Sequence, residues 1–280
     1  MKIIDGKKIA ENLRTKIAIE VKQFSRPPGL AVILVGDDEA SQVYVRNKSK
    51  ACVEVGFYSD QIHKSANITE EELLSEVTRL NENQTIDGIL VQLPLPSHID
   101  SNKIIEAIIP EKDVDGFSSE NVGKLMQNKP FISPCTPKGI MKMLASIKCE
   151  LRGKDCVIIG ASNIVGRPMS MELLNAGATV LVCHKDTKDI TNKVKTADVV
   201  IAAAGVAHLV KDDWVKEGAV VIDVGINRLK DGSLAGDVDF NAVKDKASAI
   251  SPVPGGVGPV TIAVLLENTL IAYKARLIDS

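Results

Sequence analysis

The sequence predicts a two-domain α/β protein whose second domain is a doubly wound parallel sheet, followed by a carboxy-terminal helical tail that is free to pack back on the first domain. Three observations carry this reading. Strand-like apolar runs alternate with amphipathic helical stretches through the first hundred residues, as an α/β domain requires. Beyond Lys154 the apolar runs become short and nearly continuous, the pattern of strands buried on both faces. At 280 residues the chain is long enough for two modest cores.

Taken in order, Ile9, Leu13, Ile17, Val21 and Phe24 recur at spacings of three and four and form one apolar stripe of a helix over 8–24. A strand follows at Leu30–Gly36, then a helix from Glu39 to Val55, and a third helix from Thr69 to Glu82 with Thr69 as its cap. The run IDGILVQLPLP reads as a buried strand broken by Pro94 and Pro96. Pro110–Pro137 is rich in Pro, Gly, Asn and Ser, and is expected to form loops and a domain junction before helix resumes at TPKGIMKMLASI. CVIIG, TVLVCH, DVVIAAAG and AVVIDVG then supply the parallel strands, and the tail after PVPGGVGPVT is helical. The domains drawn from this pattern are 1–138, 139–259 and the returning helix 260–280.

Composition excludes several function classes. With 34 basic and 36 acidic residues the net charge of −2 creates no field to attract nucleic acid or anionic lipid. No segment reaches the ~20 apolar residues of a membrane span, and the amino terminus turns charged before any run of signal-peptide length, so a cytoplasmic protein is expected. The five cysteines are scattered without a CxxC pair, and His98 and His208 have no metal spacing with other ligands, so neither disulfides nor a metal is predicted.

VIIGASNIVGRPMSMELL places Gly160 at a strand end and Gly166 just inside the next helix, where backbone N–H groups can meet a pyrophosphate. Ser162 stands where a second glycine is usual, and a plain tight turn needing glycine is the alternative. The next strand ends in CHKDT, so His184 and Lys185 arrive where an NAD site usually shows a carboxylate for the ribose 2′-hydroxyl. A cation there pairs with a 2′-phosphate, which favours NADP, whereas an ordinary exposed lysine is the bland reading.

On the helix over 39–55, Ser41, Tyr44, Lys48, Cys52 and Val55 share a face while Arg46, Lys50 and Glu54 point away. A lysine among Tyr, Cys and Val must find a partner or a cleft, unless it snorkels at the domain edge.

Five strings in order, YVRNK at 44–48, VQLPLP at 91–96, PEKDVDGF at 110–117, GASNIVGRP at 160–168 and PVPGGVGPVT at 252–261, resemble the methylenetetrahydrofolate dehydrogenase/methenyltetrahydrofolate cyclohydrolase family over essentially the whole chain. The resemblance implies an amino-terminal catalytic domain, a Rossmann-like NADP-binding domain, a cleft between them, tetrahydrofolate derivatives as substrates and a homodimer built mainly through the Rossmann-like domains. It makes Lys48 catalytic, with Tyr44 packing on the substrate, Gln92 beside the lysine and Asp115 accepting N–H donors of the pterin edge. Ser41, Leu93, Pro94, Gly258 and Pro259 are then expected to line the folate site. Gly160, Ala161, Ser162, Ile164, Val165, Gly166, His184, Lys185 and Ile226 are expected to hold the cofactor. Ala161 departs from the family, since many members carry arginine there, and this shifts the 2′-phosphate toward Lys185.

By residues alone, DVDG is more often a plain turn in which Asp caps local N–H groups, and the alternatives for Gln92 and PGGVGP are a strand-end amide and a loop. Hydride transfer from the methylene carbon needs positioning above all, because adjacent nitrogen lone pairs stabilise the cationic product. Hydrolysis needs a group that handles protons, and Lys48 is the candidate. Rival readings are a monofunctional dehydrogenase, a nucleotide sensor without turnover, which would need none of YVRNK, VQLPLP and DVDG, and a hydroxy-acid or amino-acid dehydrogenase, for which no His–carboxylate pair is evident.

Overall fold

The computed structural model describes residues 1–278. In chain order the elements through residue 126 are β1 (Lys2–Ile3), α1 (Gly6–Val21), β2 (Gly29–Val35), α2 (Glu39–Val55), β3 (Tyr58–Lys64), α3 (Glu70–Glu82), β4 (Gly88–Val91), α4 (Ser101–Glu106) and α5 (Ser119–Met126). There follow α6 (Cys135–Ser146), β5 (Asp155–Ile159), α7 (Gly166–Asn175), β6 (Thr179–Cys183), α8 (Ile190–Val194), β7 (Val199–Ala202) and a 3₁₀ turn at Asp212–Trp214. The last elements are β8 (Val220–Asp223), β9 (Asn227–Arg228), β10 (Leu234–Ala235), α9 (Phe240–Val243), β11 (Ala249–Ile250) and α10 (Val257–Ile278).

The chain forms two compact units. One comprises Glu11–Cys135 with Ile262–Ser280, and the other Met1–Ala10 with Thr136–Thr261. The boundary drawn from the sequence needs correction at the amino end. Lys2 and Ile3 pair in parallel with Ala249 and Ile250, so the first ten residues go with the sheet of the later unit. Two extended residues carry no periodic signal of which sheet they will join.

In the unit of Glu11–Cys135 and Ile262–Ser280, a parallel sheet of order β3-β2-β4 has β2 at its centre, buried at all seven positions. Ala31, Ile33, Leu73, Val77, Leu80, Ile89 and Ile104 join in one core cluster. The helix of Glu70–Glu82 starts as predicted. Thr69 Oγ1 accepts from the Glu72 amide at 3.2 Å and the Glu72 carboxylate accepts from the Thr69 amide at 2.9 Å, a reciprocal cap. The stretch expected to be loop contains α5, because the Ser118 hydroxyl caps it and Leu125 is buried; eight residues are too few for a legible period.

The carboxy-terminal helix completes this same unit. Tyr273 is fully buried and its hydroxyl donates to the Arg26 carbonyl at 3.1 Å, while Arg276 and Arg26 both donate to the buried Asp87 carboxylate, at 2.8 and 2.7 Å. Lys274 is paired with Glu20 of α1. The helix begins at Val257 rather than at 260, so Gly258 and Pro259 lie in its first turn, where proline is tolerated because its N–H would have no intrahelical acceptor.

In the other unit a six-stranded sheet runs β1-β11-β8-β7-β5-β6 with every pairing parallel. Val157, Ile159, Val200, Ala202, Val221 and Ile250 belong to its core. One expectation fails in part: TVLVCH is not covered on both sides, since β6 lies at the sheet edge and Leu181 is 41% exposed. Apolar content marks a strand but does not say whether it is central. β5 sits between β6 and β7, so the order reverses beside it, and in open parallel sheets ligands occupy the crevice at the carboxyl ends of such strands.

Candidate functional site

Two groups of residues have the character of a site, one in each unit. The first is built on α2 and the end of β4. Asp38 caps α2 by accepting from the Ser41 amide at 2.7 Å, and Gly56 ends it in a left-handed conformation with φ of 82°. Ser41, Val45, Ser49, Cys52 and Val55 are buried, while Arg46, Lys50 and Glu54 face outward. Tyr44 and Lys48 are half-buried on the inward side, with burial raising the Tyr44 phenol pKa. The Lys48 ammonium donates to Gln92 Oε1 at 2.9 Å, and Gln92 Nε2 donates to the Leu93 carbonyl at 2.7 Å. The lysine therefore has a fixed partner, and the amide that holds it is itself oriented. Burial pushes the Cys52 thiol up to about 12, so it remains a protonated, packed side chain rather than a nucleophile.

The DVDG turn resolves an ambiguity, because its two aspartates divide the work. Asp113 is the cap: it accepts from the Gly116 amide at 3.0 Å, the Ser118 amide at 2.8 Å and Asn121 Nδ2 at 3.0 Å. Asp115 is left aside, half-buried and lining a small cavity with Leu90, Leu93, Ile108 and Phe117. Desolvation raises its pKa to about 6, against the pull of the Lys48 charge and a hydrogen bond with Cys135. Lys112 anchors the turn from below, donating to the carbonyls of Leu80, Asn81 and Asn83 at 3.0, 2.6 and 2.8 Å, the exposed end of α3. Lys48, Gln92, Leu93 and Asp115 thus gather in one place. Pro94 is exposed just beyond, after a cis Leu93–Pro94 bond.

The second group lies at the carboxyl ends of β5, β7 and β8. Gly160 has φ of 122°, and a Cβ there would stand 2.0 Å from the Ala203 carbonyl oxygen; a Cβ at Gly166 would stand 2.0 Å from the Gly160 oxygen. The glycines thus serve close backbone approach. Between them Ser162 and Ile164 are exposed, Ala161 and Val165 half-buried. No side chain caps α7; the Arg167 amide donates to the Ser162 carbonyl at 3.0 Å, the Val165 amide to Ser162 Oγ at 3.2 Å, and Pro168 has no N–H, so the Gly166 amide is the one at the helix start left for an anionic partner, which fits a dinucleotide phosphate. His184, Lys185 and Asp186 are exposed after β6, where His184 Nδ1 accepts from the Asp186 amide at 3.3 Å. Ile226 is 46% exposed after β8, and its Cδ1 lies 3.8 Å from where a Cβ on Gly258 would be.

Residues 4–115 match the catalytic domain of tetrahydrofolate dehydrogenase/cyclohydrolase, and residues 134–277 match its NAD(P)-binding domain. The chain belongs to the tetrahydrofolate dehydrogenase/cyclohydrolase family. It is 62% identical over 277 residues to the bifunctional protein FolD of Ruthia magnifica, covering 99% of this chain and 100% of that one. The crystal structure of the bifunctional FolD of Campylobacter jejuni superposes with a TM-score of 0.97 at 52% identity, covering 99% of both chains. That of Trypanosoma brucei methylenetetrahydrofolate dehydrogenase-cyclohydrolase, complexed with NADP cofactor and inhibitor, superposes at 0.95 with 41% identity over 98% of both.

Within this family frame, sequence reasoning passed over four polar residues that organise the two groups. Lys112 and Asp113 hold the DVDG turn, and the buried carboxylates Asp223 and Asp237 lie beside the β7 and β8 ends. A signal existed for Asp223, a charge closing the apolar run AVVID, but its partners are remote in sequence. Among the described residues no cluster of His, Cys, Asp and Glu is arranged to hold a metal ion, and no helix is long and apolar enough to cross a membrane.

Proposed function

We propose that this chain oxidises 5,10-methylenetetrahydrofolate to the 5,10-methenyl form with NADP and hydrolyses that product to 10-formyltetrahydrofolate, with Lys48 as the proton-handling residue. The observation that carries the assignment is the Lys48–Gln92 hydrogen bond of 2.9 Å beside Asp115. When bound, NADP accepts the hydride from the methylene carbon. The chain's own part in that step is to hold the folate: Asp115 receives the N–H donors of the aminopyrimidinone edge, Tyr44 packs on the ring, and Ser41, Leu93 and Pro94 line the remainder.

Hydrolysis adds water to the methenyl carbon, so one O–H bond breaks as a C–O bond forms. A C–N bond then opens as the ring nitrogen takes up a proton and the remaining O–H bond breaks to give the formyl C=O. Lys48 in its neutral amine form takes the water's proton, becomes the ammonium and returns a proton to the ring nitrogen, while the Gln92 carbonyl oxygen keeps Nζ aimed. The cofactor is held by the turn from Gly160 through Ala161, Ser162, Ile164 and Val165 to Gly166 at the uncapped α7 end, by Ile226, and by His184 and Lys185 toward the 2′-phosphate. The exposed edge of β6, with Leu181 41% and Leu174 54% exposed, suits pairing with a second copy, so the working form is a homodimer joined through this unit.

A coupled assay of both activities, run with NADP and NAD side by side, tests the reading. Reduction of NADP by methylenetetrahydrofolate together with formation of 10-formyl product from methenyl substrate is expected. Dehydrogenation without hydrolysis would return the chain to a monofunctional dehydrogenase, and a monomer by light scattering would remove the dimer.

A further inference from the structure

Two buried carboxylates in the nucleotide-binding unit take no part in the chemistry above, yet they tie together the segments that follow β7, β8 and β10. Asp237, 0% exposed, accepts from the Ala204 and Gly205 amides with Oδ2 at 2.6 and 2.8 Å, and from Asn227 Nδ2 with Oδ1 at 2.9 Å. Asp223, 3% exposed, accepts from the Gly225 and Asp237 amides with Oδ1 at 3.0 and 2.9 Å, and from the Val238 amide with Oδ2 at 2.9 Å. Its own amide donates to Ser251 Oγ at 2.8 Å.

Among the described residues, no lysine or arginine bonds to either carboxylate. Two buried carboxyl groups held only by backbone amides and one side-chain amide are costly to desolvate, and an apolar pair would fill the volume at less expense. What such an arrangement provides is geometry. Six N–H donors are satisfied only if the segments after β7, β8 and β10 keep one mutual placement. The backbone is shaped to admit the carboxylates: a Cβ at Gly225 would stand 2.2 Å from Asp237 Oδ1, and one at Gly236 1.8 Å from Asp223 Oδ2. The segment they fix, Val224–Asn227, presents Ile226 to solvent beside Gly258 at the carboxyl end of β8. A large aliphatic side chain held outward there by a buried scaffold is suited to contact a flat ligand rather than a core.

The geometry points to Asp237 and Asp223 as positioning residues that hold Val224–Asn227 and Ala204–Gly205 in the conformation that receives the cofactor. This rests on the NADP reading given above and deepens it. Neither aspartate touches the dinucleotide; each acts through the loop it clasps.

The test uses the full chain and two readouts: NADP affinity by titration calorimetry, and hydrolysis of methenyl substrate with no cofactor present. Asp237→Asn turns one acceptor into a donor facing Asn227, and weakens NADP binding by about 5- to 100-fold while cyclohydrolase kcat/KM stays within about twofold. The exchanged pair N227D/D237N restores one donor and one acceptor across that contact and recovers affinity to within about threefold of the unmodified chain. If Asp237→Asn does not fold, Asn227→Ala decides, with a smaller loss of about three- to tenfold expected in NADP affinity alone. Unchanged NADP affinity in a folded variant overturns the proposal, as does an equal loss of both readouts that the exchange does not repair. Absence of NADP binding by the unmodified chain would instead refute the cofactor reading itself.

Discussion

The group around Lys48 and the group around Gly160 are built in opposite ways. Around Lys48 the polar groups are side chains, each half-buried and each restrained by a named partner: lysine on glutamine, glutamine on a carbonyl, aspartate against a lysine charge and a thiol. Around Gly160 the side chains between the two glycines are small or exposed, and the feature offered is backbone at an uncapped helix end. The difference teaches where each site is vulnerable. The first should fail by substitution of functional groups with the fold intact, the second by anything that adds volume to the main chain.

The strongest test of the side-chain half is Lys48→Met, which keeps much of the length and packing but cannot exchange protons. Cyclohydrolase activity is expected to fall by ~10²- to 10⁴-fold with dehydrogenase activity surviving, so that single-turnover assays release methenyltetrahydrofolate. Equal loss of both activities with folate still bound would make Lys48 an orienting group for both steps.

The backbone half is tested by Gly160→Ala, where a methyl must enter the space of the Ala203 carbonyl at a φ of 122° that L-residues avoid. NADP affinity should drop by at least about tenfold, with a lower Tm, while cofactor-independent hydrolysis is retained in the folded fraction. Normal NADP affinity would show that the turn relaxes and that the approach is not essential.

Asp115→Asn sharpens the comparison by separating function from stability. The folded-state pKa is raised from 3.8 to about 6, so the carboxylate's relative stability is fully present below 3.8 and lost as pH rises through 6. At pH 7.5 the charged form is therefore a burden on the unliganded fold. The asparagine variant should be more stable there, by up to about 3 kcal/mol, with the gain shrinking as pH falls toward 4. It should also bind folate less well in both reactions while binding NADP normally. A lower Tm at pH 7.5, or a normal folate KM, would return Asp115 to a structural role.

The smallest effect is expected at Lys185, an exposed side chain outside the backbone turn. Lys185→Asp should reduce the NADP over NAD preference by about 1 to 2 kcal/mol, read as the ratio of kcat/KM values, and more at low ionic strength. An unchanged ratio would place 2′-phosphate recognition elsewhere.

Much of this was legible in the sequence because it is local. Glu39–Val55 and the capped start at Thr69 follow from apolar period and cap chemistry, the four strands of the second half from short apolar runs, and the turn at Gly160 from glycine where backbone must approach backbone. The resemblance carried by five strings identified the family. What only the tertiary structure decided are pairings between residues far apart. Lys48 meets Gln92 across 44 positions, and Asn268 of α10 donates to the Val114 carbonyl across 154. Lys2 pairs with Ala249, and Asp237 reaches back to Ala204. The DVDG string fits either aspartate as the cap, and only the positions of Ser118 and Asn121 assign that role to Asp113 and leave Asp115 facing the cavity. Periodicity reports which face of an element is apolar. A polar contact depends instead on where two elements bring single atoms to within about 3 Å, and no local pattern encodes that distance.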